Sequence, residues 1–334
     1  MQFKQMARNW VYPAILKIPS EWLKSAFHFP EGLSLCFHGV TEKDYTAITG
    51  RHMVLPQFEL LVRYLSANFH CVDEDTFFST YPKPDSRPRI CIGFDDGFLN
   101  NYKTALSVLE RYQVPGAFYL STLNKDNSNA MLWADIFELV IFHYKPASIE
   151  IEDQLFSRNS SYRNSQNAHI TDWIKNMKPE ARDSWLVDFS AKFQLTQLQK
   201  TYPEELWRLM HAEEWQKFAK SPFVKIGSHT HHHYNLENIE PEVAEIELLL
   251  SKNLLENATD KKINSIAYPD GSYNSTVKDL AEKAGYSLQW AVAYKLDGDQ
   301  TDSRIKSRFG ISNTTTWQGN ILKMLKDGKK TGSQ

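Results

Sequence analysis

The chain has 334 residues, with 38 Lys and Arg against 40 Asp and Glu, a formal net charge of −2 and 42% hydrophobic residues. That length is enough to bury a large core, and a near-balanced charge without a long basic run leaves no electrostatic footprint for nucleic acid, so no nucleic-acid partner is expected. Three scattered cysteines, Cys36, Cys71 and Cys91, describe neither a disulfide framework nor a thiolate metal site, and read as small buried residues of a protein from a reducing compartment.

Residues 1–30 are expected to form an N-terminal helical extension. Pro13, Lys17 and Pro19 interrupt its apolar run, so it reads as neither a signal peptide nor a transmembrane helix. Trp10, Trp22 and several lysines suit either a peripheral membrane contact or an ordinary packed helix. Without an export signal in view, the expected location is cytoplasmic, with peripheral membrane association as a variant.

Next, LSLCFHGV (Leu33 to Val40) alternates bulky with small or polar residues, as a strand does. Pro56 to Asn68 sets Phe58, Leu61, Val62 and Leu65 at helical spacing, and RICIGFDDG (Arg89 to Gly97) is a strand ending in polar groups. A helix over Asn101 to Tyr112 and a strand over Val114 to Thr122 follow. Residues 125–207 are polar and tryptophan-rich, with mostly helical patterns and a loop at Ser157 to Asn167. They read as a mainly helical insertion, either a lid or cleft wall whose Trp133 stacks on a ligand, or a subdomain that only packs. FVKIGSHT (Phe223 to Thr230) and INSIAYPDG (Ile263 to Gly271) are further strands around a helix over Pro241 to Leu255. KSRFGIS is a late strand, and residues 323–334 read as a flexible tail. Strand and helix alternate, which argues for parallel pairing. Polar groups at the C-terminal strand ends are where a βα barrel or a doubly wound sheet carries its chemistry.

Asp95 and Asp96 serve one site only if the strand ends there and Gly97 lets the backbone turn. Held together they repel, unless a cation takes one and leaves the other as a base; alone, the pair also suits a turn or a helix cap. GSHTHHHYNL supplies the cation's other ligands: His229 and His233 are four apart, and Asp96 makes the third. Two imidazoles and a carboxylate leave positions open, which marks a catalytic site, with His231 and His232 as bystanders.

FDDG, the His-Thr-x-x-His frame of His229 to His233 and AYPDGSYN, in that order, resemble the polysaccharide deacetylases, the NodB-homology enzymes of carbohydrate esterase family 4. The order is similar to the branch that includes poly-N-acetylglucosamine and surface-polysaccharide deacetylases. The resemblance implies an α/β fold, an incomplete (β/α) barrel of about seven strands. Residues 31–124 and 208–322 would be its two parts.

The resemblance also implies that Asp95 is the general base and that Asp96, His229 and His233 hold a divalent ion, zinc being expected. The YPDG turn would aim the Asp270 amide at the oxyanion. Three departures stand out: Tyr268 replaces an arginine that orients the base in many members, the late Leu-x-His motif is missing, and Asp270 stands where many members have an aromatic. Arg308 is the candidate replacement for the first. His38 of FHGV, matching a histidine of a related branch, is the candidate general acid in place of the second. The implied activity is deacetylation of an N-acetylated saccharide in a polysaccharide, a lipid-linked saccharide or a surface-glycan precursor. The alternatives are a catalytically degenerate saccharide-binding protein and a metal-dependent hydrolase of another amide or a phosphoester. Oligomeric state is not legible.

Overall fold

A computed structural model describes residues 32–79 and 87–331; the expected N-terminal extension, residues 1–30, lies outside them. Strands β1 (Leu33–Phe37), β2 (Gly39–Thr41), β3 (His52–Val54), β4 (His70–Cys71), β5 (Arg89–Phe94) and β6 (Gly116–Leu120) come first. Hairpin strands β7 (Ser148–Ile151) and β8 (Gln154–Ser157) lie in the insertion. Then come β9 (Val224–Ser228), β10 (Ser265–Ala267), β11 (Leu288–Ala291), β12 (Ile305–Ser307) and β13 (Phe309–Gly310).

The main sheet runs β12-β11-β10-β9-β6-β5-β1-β13, with β4 added to β5. Its pairings are parallel throughout. Its two end strands are consecutive in the chain, separated only by Arg308. β12 pairs with β11 (Gln289 opposite Ile305), and β13 pairs with β1 (Leu35 opposite Phe309). One broken strand therefore spans the gap and nearly closes the sheet. The result is an incomplete (β/α) barrel, and the break turns Arg308 toward its interior.

Helices cover the barrel by the pattern read from sequence. Leu55–Asn68 starts with Pro at its first turn and buries Phe58, Leu61, Val62 and Leu65. Phe58 meets Phe37 and Phe94 of β1 and β5, with ring centroids 5.5 and 5.8 Å away. Each such buried side chain contributes about 1.5–3 kcal/mol. Pro241–Thr259 likewise buries Ala244, Leu248 and Leu255 and stops at Asp260, which takes a left-handed φ of 53°.

In two places the structure differs from the pattern. The insertion contains, besides its helices, the antiparallel hairpin β7–β8, turned by Glu152 and Asp153 with φ of 48° and 62°. Only Ile149, Ile151 and Phe156 mark it as a half-buried hairpin, too few for periodicity to show. These residues join Ile136, Val140, Ile174, Phe189 and Leu198 in a hydrophobic cluster separate from the barrel core. At the other end, the helix Trp317–Thr331 continues through residues expected to be a flexible tail. Trp317, Ile321 and Met324 are buried on one face, at a spacing that anchors a helix.

The barrel interior is packed. Tyr119 and Trp290 fill it, and both donate to the buried Glu74 carboxylate at 2.6 Å. A Cβ on Gly227 would lie 2.6 Å from both the Tyr119 ring and Ser265 Oγ. Gly227→Ala should therefore cost about 1–3 kcal/mol through overpacking, read as a lower urea midpoint at unchanged slope. An unchanged midpoint would contradict a filled interior.

Candidate metal and hydrolytic site

The side chains singled out by sequence gather at the C-terminal ends of the barrel strands: His38 after β1, Asp95 and Asp96 after β5, His229 after β9, and Arg308 after β12. The backbone makes this possible. Asp96 and Gly97 take φ of 73° and 81°, breaking strand alternation so that both aspartates turn inward. Across the site, Thr230 (φ 63°) and His233 (φ 56°) curl the histidine loop back on itself. Thr230 Oγ1 accepts from the His233 amide at 3.2 Å, and the buried Glu247 carboxylate accepts from the amides of His231 and His232 at 3.0 and 2.7 Å.

Asp95 is 5% exposed and grips Arg308 through two hydrogen bonds, Nη1 to Oδ1 at 2.7 Å and Nη2 to Oδ2 at 2.8 Å. The guanidinium also lies over the Tyr119 and Trp290 rings, 5.3 and 5.9 Å from their centroids. Burial works to raise the Asp95 carboxyl, but the Arg308 charge and then His229 outweigh it and hold the group at about 2. Arg308, the candidate replacement for the arginine absent at Tyr268, is the residue paired with Asp95. Tyr268 itself points elsewhere, donating its hydroxyl to Gln289 Oε1 at 2.8 Å and stacking on Tyr273.

Asp96 is 2% exposed, and its Oδ1 faces His229 Nε2 at 3.5 Å and His233 Nε2 at 3.3 Å. Two ligands bound about 2.1 Å from a tetrahedral ion stand roughly 3.4 Å apart. The spacing therefore suits one divalent cation better than direct hydrogen bonds. His229 Nδ1 donates to the Ala267 carbonyl at 2.7 Å, which leaves Nε2 its lone pair for a ligand. The electrostatics agree. Arg51 stands among three carboxylates, Asp96 (3.4 Å), Glu138 (2.9 Å) and Asp135, so this corner carries excess negative charge. Burial opposes a charged His229, yet Asp95 and then Asp96 raise its pKa, so positive charge is favoured there.

His38 is half-buried, and its Nδ1 has no hydrogen-bond partner. Its carbonyl is held by Asn101 Nδ2 at 2.7 Å, from a single π-helical turn after β5. Cys36, read from sequence only as a small buried residue, donates its thiol to Asp95 Oδ2 at 3.2 Å. Asp270 (φ 54°) and Gly271 form the turn after β10, and the Asp270 carboxylate pairs with Lys175 of the insertion at 2.6 Å. His38, Cys36, Asp95, Asp270 and Lys175 line one cavity of about 530 Å³ together with Asp96, His229, His233 and Arg308, and Trp133 and Phe137 of the insertion also line it. His231 and His232 point elsewhere, to Thr122 and Glu247. Arg51, Arg182 and Lys175 were not found by sequence reasoning. Each meets partners far along the chain, with no local pattern to mark it.

Residues 190–288 match the family model described as polysaccharide deacetylase. Over 76 residues, 23% of this chain, it is 34% identical to a protein named for that family, YxkH of Bacillus subtilis (strain 168). The matched stretch spans about a quarter of that relative, 27% of its length. Among solved structures, the deacetylase PplD of Streptococcus pyogenes, in complex with acetate, superposes with a TM-score of 0.57 at 14% identity. It covers 88% of this chain and 97% of its own. IcaB from Ammonifex degensii gives 0.53 at 14% identity over 88% and 97%. The chain thus has the polysaccharide deacetylase fold, a NodB-type barrel. Its residues 190–288, which include both candidate histidine ligands, carry the sequence likeness to that family.

Asp95 binds its proton in the folded, metal-free protein only near pH 2, against about 3.9 in an unfolded chain. Its contribution is complete above the unfolded value and is lost as pH falls through the window between the two. Wild type should therefore lose on the order of 1 kcal/mol between pH 5 and pH 3 that Asp95→Asn does not lose. Urea unfolding at both pH values measures this; parallel losses in the two proteins would contradict a depressed Asp95.

Proposed function

We propose that the protein hydrolyses the N-acetyl group of an amino sugar, releasing acetate and the free amine. The observation that carries this is the placement of an ionised, arginine-held carboxylate beside a three-ligand Asp and His group in one cavity. Asp96, His229 and His233 would hold the ion, and a set of one oxygen and two nitrogens suits zinc. When bound, such an ion lowers the pKa of water and polarises a carbonyl.

The chain's own residues do the rest. Asp95, kept ionised and oriented by Arg308, accepts the proton of the attacking water. Arg308 cannot take up that proton, because guanidinium stays charged; its role is to fix the carboxylate. The Asp270–Gly271 turn borders the cavity where charge develops on the acetyl oxygen, and its amide is the proposed donor there. His38 delivers a proton to the nitrogen as the C–N bond breaks, since an amine anion is too basic to leave alone. Trp133 and Phe137 offer an apolar wall for the faces of a sugar ring. Among the described residues no helix is long and apolar enough to cross a membrane.

With zinc supplied, N-acetylated glucosamine oligomers should yield acetate, and Asp95→Asn or His229→Ala should cut kcat by about 10²-fold or more. Full activity in both variants would refute the assignment; saccharide binding without acetate release would favour a binding protein. His38→Gln should slow amide hydrolysis by about 10²–10⁴-fold but affect an activated aryl acetate far less, because a phenolate leaves without a proton. Equal losses on both substrates would remove His38 from the acid role.

A further inference from the structure

The insertion touches the candidate ligand set from two independent directions. From the helix Pro179–Lys192, Arg182 is 5% exposed and reaches the histidine loop. Its Nη2 donates to the His232 carbonyl at 3.1 Å and its Nη1 to the His233 carbonyl at 3.4 Å. The same guanidinium lies 4.3 Å from the Tyr234 ring centroid, so the loop is held on both sides of His233. From the helix Trp133–Tyr144, Asp135 and Glu138 fix Arg51, and Arg51 Nη1 donates to the Asp96 oxygen facing away from the histidines, at 3.4 Å.

Neither arginine offers a metal ligand, since guanidinium has no lone pair to give. Both act on groups that do. His233 has a left-handed backbone, φ 56°, a conformation uncommon for a residue other than glycine. Two hydrogen bonds from a planar fork to successive carbonyls restrain that backbone. Arg51 fixes the rotation of the Asp96 carboxylate and leaves Oδ1 for the ion.

We infer that Arg51 and Arg182 are positioning residues through which the insertion sets the affinity of the Asp96–His229–His233 site for a divalent ion. This rests on the reading of those three residues as the ligand set. The insertion is then part of the apparatus that shapes the metal site, in addition to walling the cavity.

The test is zinc affinity of the full chain by competition with a chromophoric chelator, together with the visible spectrum of the cobalt-loaded protein. Arg182→Met and Arg51→Met should each weaken zinc binding by about 10–100-fold and alter the cobalt bands. Arg182→Lys, which keeps charge but loses the fork, should fall between wild type and Arg182→Met, and it carries the test should Arg182→Met not fold. Val187→Ala, an exposed position on the same helix, should bind as wild type does. Wild-type affinity and spectra in the arginine variants would overturn the inference while leaving the ligand set intact. A wild-type protein that binds no zinc would instead overturn the ligand set on which the inference stands.

Discussion

Two adjacent carboxylates buried at the end of one strand are the constraint around which the rest is arranged. Two like charges about 4 Å apart repel by roughly 4 kcal/mol at a protein-like dielectric, and burial adds to the cost of each charge. The fold answers the two differently. Asp95 receives Arg308, a permanent cation delivered by the break in the closing strand. Asp96 receives no such full partner; it faces two imidazoles at metal-like spacing and one arginine already shared with Asp135 and Glu138. One carboxylate is thereby held ionised by a permanent cation, and the other is left facing two imidazoles, the division on which the proposed base and ligand roles rest.

That division explains features which look unrelated in sequence. The closing strand is interrupted because its central residue must turn into the barrel, so β12 serves β11 and β13 serves β1. Tyr119 and Trp290 fill the interior and give the Arg308 guanidinium two aromatic faces. Removing water there strengthens the pairing of Arg308 with Asp95. With Tyr268 turned to Gln289, the positive charge that reaches Asp95 comes from Arg308 on the closing strand.

How much of this could be read from the chain follows from the range of each interaction. Asp95, Asp96, His229 and His233 were legible as candidates because strand ends confine chemistry to short motifs, and Gly97 announces the turn that follows the two aspartates. Parallel pairing was legible in the alternation of strand and helix, whereas the choice of a barrel over a doubly wound sheet came only with the family resemblance. Arg308 became a candidate only because the resemblance left a vacancy at Tyr268. Arg51 and Arg182 left no trace: Arg51 meets Asp96 45 positions away, and Arg182 meets His232 50 away. Cys36 looked like inert packing, since nothing local shows that its thiol meets the Asp95 carboxylate. The β7–β8 hairpin escaped for a different reason, having too few apolar positions for a period to emerge.

The central claim is that a single divalent ion joins Asp96, His229 and His233. Anomalous diffraction at the zinc edge from crystals grown with zinc tests it most directly. The account predicts one strong peak bonded at about 2.0–2.2 Å to an Asp96 oxygen and to Nε2 of both histidines, with Asp95 still paired to Arg308. A peak elsewhere, or those three side chains turned apart in zinc-saturated crystals, would contradict it.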